Sequence, residues 1–269
     1  MLRDPPQAGG DPGVSVLRIT QATTATFANL YFRLTFLFFV RTGSKRVLCP
    51  VSGELVGQAG DVMIFPPASL VTMENRPLLH ESYSADGVCF SDDLIEAVFS
   101  GRDPPAGPVG IQRLAAEPYR PGLVLDLLRH TLADPGLPPP IRRHRLLEPL
   151  IWLRENGVRL SGRGEEQPFS RVRRLIETDL ARSWQRPEVA AHFAMSEATF
   201  RRWLARSGHR FSAILSSTRL ERGLTLLQTT DLPVSRVALD CGFKTPSHFS
   251  DAFRARFGIA PRRIRSAGK

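Results

Sequence analysis

Arg201 and Arg202 stand side by side in MSEATFRRWLARSG, residues 195–208. Ser196 reads as an N-cap, and the residues after it read as a helix of about ten residues. At helical spacing Phe200, Trp203 and Leu204 face inward, while Ala198, Thr199, Arg201, Arg202 and Ala205 face outward. A guanidinium is planar, permanently charged and presents a fixed fork of donors, so it suits an edge bearing two acceptors. The O6/N7 edge of guanine is such an edge, and one bidentate contact there is worth about 1–3 kcal/mol of discrimination.

The chain uses this arrangement twice. Val189 and Ala190 match Val237 and Ala238 at an offset of 48, and Phe200 and Leu204 match Phe249 and Phe253 at an offset of 49. In the first copy RPEVAAHFA is a short helix with Pro187 in its first turn. In the second, PVSRVALDCG is the first helix, FKTP the turn, and SHFSDAFRARFG the second helix, with Ser247 near its start. Phe249, Phe253 and Phe257 face inward there, and His248, Ser250, Asp251 and Arg254 outward. A short helix, a tight turn and a capped helix form a helix-turn-helix unit. FSAILSSTRLERGLTLLQTTD, with Leu220, Leu224 and Leu227 at +4 and +3, is a long helix able to hold the two units apart. Apolar letters repeat because the packing repeats; outward letters differ because what they meet differs.

Charge supports the same partner. Residues 168–269 carry 19 Lys and Arg against 8 Asp and Glu, a net of +11, whereas residues 1–167 carry 17 against 18. Positive charge confined to the repeat-bearing third suits a polyanion, and nucleic acid is favoured. Arg206, Arg210, Arg236, Lys244 and Arg256 are placed for phosphates, joined by Ser196, Thr245, His248 and Arg254; such contacts anchor without specifying.

The remainder reads as a different domain. Residues 14 to 100 alternate short apolar runs with Gly, Pro and Ser, the rhythm of an all-β barrel or sandwich. From Ser91 or Asp92, as N-cap, the pattern turns helical, and GRDPPAGPVG (Gly101 to Gly110) is a connector. GLVLDLLRHTLA and RRHRLLEPLIWLRENG are two further helices, the second ending on Gly157. Its stripe of Leu146, Leu150 and Leu153 either packs within the chain or makes helix 142–156 a homodimer seam. Residues 161–169 are polar and Gly-rich, the best boundary in the chain, and SRVRRLIETDLARSW then starts on Ser170 as N-cap, with Val172, Leu175, Ile176 and Leu180 on one face. The expected organisation is a flexible tail at 1–13, a sensor or dimerisation domain at 14–160, a linker at 161–169 and a DNA-binding domain at 170–269.

Several stretches of this sequence resemble the AraC/XylS transcription regulators. They are VAAHFAMSEATFRRWLARSGHRF, RLERGLTLL and VALDCGFKTPSHFSDAFRARFGIAPRRIR. The pattern GF-x3-SHF-x3-F-x3-FG-x2-P-x3-R runs almost unbroken from Gly242 to Arg265, and DLARSW is similar to a subgroup regulating virulence and acid- or stress-response genes in bacteria. GDVMIFPP (Gly60 to Pro67) resembles the cupin-like sensor barrel of many members. The resemblance implies an α+β protein: a cupin-like β-barrel with flanking helices, then an all-α domain of two helix-turn-helix units joined by a helix. It implies a regulator, most often an activator, that binds promoter DNA and recruits RNA polymerase. By position, the base-reading residues correspond to Ala198, Arg201 and Arg202, with Thr199 beside them, and to Pro246, Ser247 and Asp251 in the second unit. Asp251 stands where members usually carry a basic or polar residue, and Gly223 replaces a usual alanine at about 1 kcal/mol. From these departures the first unit is expected to dominate specificity.

Other chemistries lack their residues. A metal-dependent cupin enzyme needs clustered histidines and a carboxylate, whereas residues 14–100 hold His80 alone. No phosphate-binding glycine loop, nucleophile elbow or HExxH occurs, so no catalytic residue, metal or cofactor is expected. Cys49, Cys89 and Cys241 show no paired spacing; a Cys49–Cys89 redox pair is the rival to plain core thiols. The longest apolar run, Leu34 to Val40, is far short of the roughly 20 residues of a membrane span, and the N-terminus has no signal core. A bacterial cytoplasmic protein associated with the nucleoid follows. The aromatic run suggests an apolar effector near Tyr31, Phe36, Phe38 and Lys45; a protein effector and action as a repressor are the alternatives.

Overall fold

A computed structural model describes residues 13–100, 109–160 and 167–265. Of the expected tail at 1–13, residues 1–12 lie outside the described residues, as do most of the connector (101–108) and most of the linker (161–166). The chain divides into two compact units, one built on Asp4–Gly164 and the other on Glu165–Arg262.

The first unit is two antiparallel sheets and a helical layer. Its strands are β1 (Val14–Gln21), β2 (Ala25–Phe32), β3 (Phe36–Thr42), β4 (Ser44–Cys49), β5 (Gly53–Gln58), β6 (Val62–Phe65), β7 (Ser69–Arg76), β8 (Tyr83–Phe90) and β9 (Gln112–Leu114). One sheet has the order β1-β8-β3-β6-β9 and the other β2-β7-β4-β5. Strand β9 and the short helix α2 (Ala116–Tyr119) were not legible, since three or four residues carry no period. The helices α1 (Asp92–Phe99), α3 (Gly122–Ala133) and α4 (Pro139–Glu155) cover one face of the five-stranded sheet.

Alternation on β3 shows why the sheet needs both neighbours. Leu37 and Phe39 pack toward the helical layer with Leu94, Leu128, Leu146, Leu150 and Leu153. Phe36 and Phe38 point to the other face, where with Phe32 and Phe65 they form a cluster of rings at centroid distances of 4.6 to 5.9 Å. The leucine stripe of α4 is therefore spent inside the protein, with all three residues fully buried. Those three leucines are not free to form a homodimer seam. The GDV motif also ties the fold together. Asp61 accepts from the Gln58 and Ala116 amides at 2.9 and 2.8 Å, fastening β6 to the segment after β9.

The second unit is helical. It contains α5 (Pro168–Thr178), α6 (Arg186–His192), α7 (Glu197–Arg206), α8 (Phe211–Thr229), α9 (Val234–Asp240) and α10 (Pro246–Phe257), with a closing 3-10 turn at Pro261–Ile264. Ser170 is not an N-cap: α5 begins two residues earlier, on Pro168 after Gln167, and Ser170 is buried within it. Proline at the first position forgoes an amide that has no helical partner anyway. Pro168 and Phe169 thus belong to α5 and not to a linker, and buried Leu180 lies past the helix end at Thr178. Helix α8 packs against α5, α9 and α10, and α5 also touches α7. A buried ion pair, Arg173 Nη2 to Glu221 Oε2 at 2.7 Å, joins α5 to α8.

Candidate nucleic-acid interface

The two helix pairs match bond for bond at their turns. In the first, the Ala194 amide donates to Ala191 O and the Met195 amide to Ala190 O; in the second, Gly242 donates to Leu239 O and Phe243 to Ala238 O. Each of these atoms is displaced by 48 residues. The left-handed turn residue is Ala194 (φ 53°) in one copy and Gly242 (φ 76°) in the other. The next helix is then capped by Ser196, accepting from the Thr199 amide at 3.2 Å, and by Thr245, accepting from the His248 amide at 3.2 Å. Those caps are 49 apart, so the second turn holds one extra residue, which is why the sequence offset changes there. Thr245, not Ser247, opens α10, with Pro246 as its first residue.

Gly242 could be nothing else. A Cβ there would lie 2.2 Å from Leu180 O and 2.8 Å from the Arg219 guanidinium. Arg219 donates to Leu180 O at 3.1 Å and to Arg182 O at 2.8 Å, stapling the α5–α6 loop to α8. That role was not visible in the sequence, where Arg219 is one more polar residue on a helix. Gly223 also has a reason beyond helix propensity: a Cβ would lie 2.7 Å from the fully buried ring of Phe249. The glycine is the seat on which α10 rests, so the expected weakening of the second unit does not follow from it.

The outward faces are where the sequence put them. Ala198, Thr199, Arg201, Arg202 and Ala205 are exposed on α7, opposite buried Phe200 and Leu204. Pro246, Ser247 and Asp251 are exposed on α10, opposite Phe249, Phe253 and Phe257. Of the phosphate candidates, Ser196, Arg206, Arg210, Arg236, Lys244, Thr245, His248 and Arg254 are exposed, and Arg256 is half-buried over the Phe257 ring. The Ser196 hydroxyl also donates to Thr199 Oγ1 at 3.0 Å, which leaves the Thr245 hydroxyl the freer donor.

Charge pairing separates the units. Among the described residues Arg201, Arg202, Arg206, Arg210 and Lys244 have no carboxylate partner. Arg236 pairs with Asp240 at 2.9 Å and Arg254 with Asp251 at 4.0 Å. Beneath α7, Arg171 lies over the rings of Phe193 and Trp203, at 5.2 and 5.4 Å. Burial against Phe169 lowers the pKa of His209, and burial raises that of Cys241 to about 11. All three cysteines are free thiols, so no Cys49–Cys89 bond is present.

Residues 189–267 match a family model described as a helix-turn-helix domain. Together with the doubled turn, this decides the identity of the unit. It is a helix-turn-helix domain. Over 91 residues the chain is 36% identical to the transcriptional regulator SirC of Salmonella typhimurium, covering 34% of this chain and 31% of that one. It is 34% identical over 120 residues to the transcriptional activator RhaS of Escherichia fergusonii, 43% and 42% of the two chains. With GadX of Escherichia coli it shares 29% identity over 92 residues, 34% of each. The chain thus spans between 31 and 42% of these relatives' lengths.

The fold likeness extends further. The structure of unsaturated fatty acid bound wild-type ToxT from Vibrio cholerae is matched with a TM-score of 0.63 at 15% identity, over 94% of both chains. At that identity the likeness is one of fold: an N-terminal sheet-rich domain followed by a helical domain.

The N-terminal candidate residues are not all together. Phe36, Phe38 and Lys45 share the interior between the sheets. Lys45 Nζ lies 4.0 Å from the Phe38 ring centre and 2.5 Å from Asn75 Oδ1. Tyr31 does not join them. A register shift between Phe27 and Leu30 turns Leu30 and Phe32 inward, so Tyr31 lies on the opposite face, paired with exposed Leu70. Lys45 is fully buried, and desolvation lowers its pKa from 10.5 to about 7. Asn75 passes the contact on to Gln21 Oε1 at 2.9 Å, and among the described residues no carboxylate lies within ion-pairing reach of the amine. The Tyr83 hydroxyl nearby is buried without a partner. Among the described residues no His, Cys, Asp or Glu cluster could hold a metal, and no helix is long and apolar enough to cross a membrane.

Proposed function

We propose that the chain is a sequence-specific DNA-binding transcription regulator whose α7 and α10 each present side chains to base edges in a major groove. The observation that carries this reading is the doubled unit, in which packing and turn bonds are shared between copies while both outward faces are exposed and different. Ala198, Thr199, Arg201 and Arg202 read bases in the first unit, and Pro246, Ser247 and Asp251 in the second. Action at a promoter as an activator, through RNA polymerase and in the bacterial cytoplasm, is part of the same proposal, by analogy with the regulators matched. The N-terminal domain receives the controlling signal. Its interior amine among phenylalanine rings suits an apolar molecule with an anionic end, and the fatty acid bound to ToxT is of that kind.

The test is helical phasing. After genome-wide mapping of bound sites, about five base pairs are inserted between the two half-sites, which lie roughly one turn apart if both helices read one side of the duplex. The insertion turns the second half-site to the far side. Affinity then falls to that of the first half-site alone and returns with an insertion of about ten base pairs. An affinity indifferent to spacing refutes two-groove reading.

A further inference from the structure

A cavity of about 580 Å³ opens beside α7, between its outer side, the start of α8 and the residues leading into α6. Half-buried Phe211 lines its base, over the buried side chains of Trp184, Phe200 and Leu204. Arg201, Arg202 and Arg210 stand on its walls, and none has a carboxylate partner among the described residues. The fourth wall arginine, Arg186, is 3.6 Å from Glu197. The volume is that of a small-molecule site. An apolar floor under three unneutralised guanidiniums matches one chemistry, an organic anion with an apolar body.

We propose that this cavity binds an amphipathic organic anion in direct competition with DNA. The apolar body lies against Phe211 and the aliphatic stems around it, and the anionic group is held by Arg201, Arg202 and Arg210 through charge-assisted hydrogen bonds. Arg201 and Arg202 also belong to the exposed face of α7 that would enter the groove. One guanidinium cannot fork onto a bound carboxylate and a guanine edge at once. Occupancy therefore silences the DNA-binding unit directly, without any signal passing from the N-terminal domain.

The competition rests on α7 being a DNA-reading helix; the binding does not, so the two are read separately. Decanoate is titrated into the full chain by calorimetry and by tryptophan emission, with decanol and inorganic phosphate as controls for the apolar and charged halves. Saturable binding of decanoate alone is expected. At saturation, promoter affinity measured by fluorescence anisotropy drops about tenfold or more, the worth of one lost bidentate contact. Ser212→Phe fills the cavity from its exposed α8 wall. It abolishes both effects while leaving promoter affinity in the absence of decanoate unchanged. Ala205→Leu repeats the calorimetry from the α7 side should Ser212→Phe lose its far-ultraviolet circular dichroism. If Ser212→Phe binds decanoate as the parent does and Lys45→Met does not, the ligand sits between the sheets and the proposal is overturned. Binding in the cavity with promoter affinity unmoved overturns the competition.

Discussion

Exchanging residues between the two turns should move stability in opposite directions. Ala194 and Gly242 occupy the same place in their turns, donate to equivalent carbonyls and have φ of 53° and 76°. For a residue with a Cβ the left-handed region costs about 1–2 kcal/mol. Ala194→Gly removes that cost but frees the unfolded chain by about 0.4–1 kcal/mol, which leaves a gain of about 0.5–1 kcal/mol. Gly242→Ala introduces the same cost, and its Cβ meets Leu180 O at 2.2 Å. The loop must retreat, stretching both Arg219 hydrogen bonds, each worth about 1–3 kcal/mol with a charged donor. A loss of about 3–5 kcal/mol is expected. Urea denaturation of the full chain, followed by circular dichroism of the helical signal, measures both. Anisotropy on DNA carrying only the second half-site measures the consequence, since the disturbed turn positions α10. Equal signs for the two variants, or a cost below about 1 kcal/mol for Gly242→Ala, would refute the claim that the turn and the Arg219 staple are one device.

Three further outcomes follow from the same geometry. Arg201→Ala costs about 1–3 kcal/mol at the cognate site and relaxes preference at one base, whereas Arg210→Ala weakens binding to every sequence alike; anisotropy on promoter and random DNA separates them. The six arginine and lysine phosphate candidates, Arg206, Arg210, Arg236, Lys244, Arg254 and Arg256, give a slope of about −5 in log affinity against log salt if all engage, and a slope near −2 counts most of them out. In the N-terminal domain Lys45→Met stabilises, because a drop in pKa from 10.5 to about 7 represents about 5 kcal/mol of burial cost, offset by about 1–3 kcal/mol for the Asn75 acceptor left unpaired. The folded state gives up the proton first, so parent stability rises as pH goes from 7 to 10.5 and is insensitive to this group below 7; Lys45→Met removes that rise, read by urea melts across this range.

What the sequence disclosed was whatever has a period. The aromatic positions of α7 and α10, the Ser196 cap and the change of offset from 48 to 49 all have counterparts in the structure, the last as one added turn residue. What it hid depends on approach through space. Gly223 looks like a helix weakness until Phe249 is seen resting on it. Tyr31 belongs to the aromatic run by alternation, and only the irregularity after Phe27 turns it away. The leucine stripe of α4 gave no clue to its partner, which is the far face of the five-stranded sheet. The cavity beside α7 is built from three separate stretches and leaves no trace in any one of them.

The same distinction bears on why the two units should differ in weight. The sequence suggested dominance of the first from Asp251 and Gly223; the structure removes Gly223 from that argument and strengthens the electrostatic half. Arg201, Arg202, Arg206 and Arg210 carry their charge unpaired, whereas Arg236 and Arg254 each have a carboxylate within 4.0 Å. An exposed pair is a weak tie, of about 0–1 kcal/mol, so it does not forbid phosphate contact. It does return part of the attraction, because each carboxylate stays beside the phosphate its arginine would meet. On the proposed reading, the first unit then supplies most of the affinity, and the second supplies register through Asp251, whose acceptor oxygens suit the cytosine amine. Asp251→Ala should accordingly raise affinity for random DNA while relaxing preference at a single base; a loss on both would place the carboxylate's value in holding Arg254 instead.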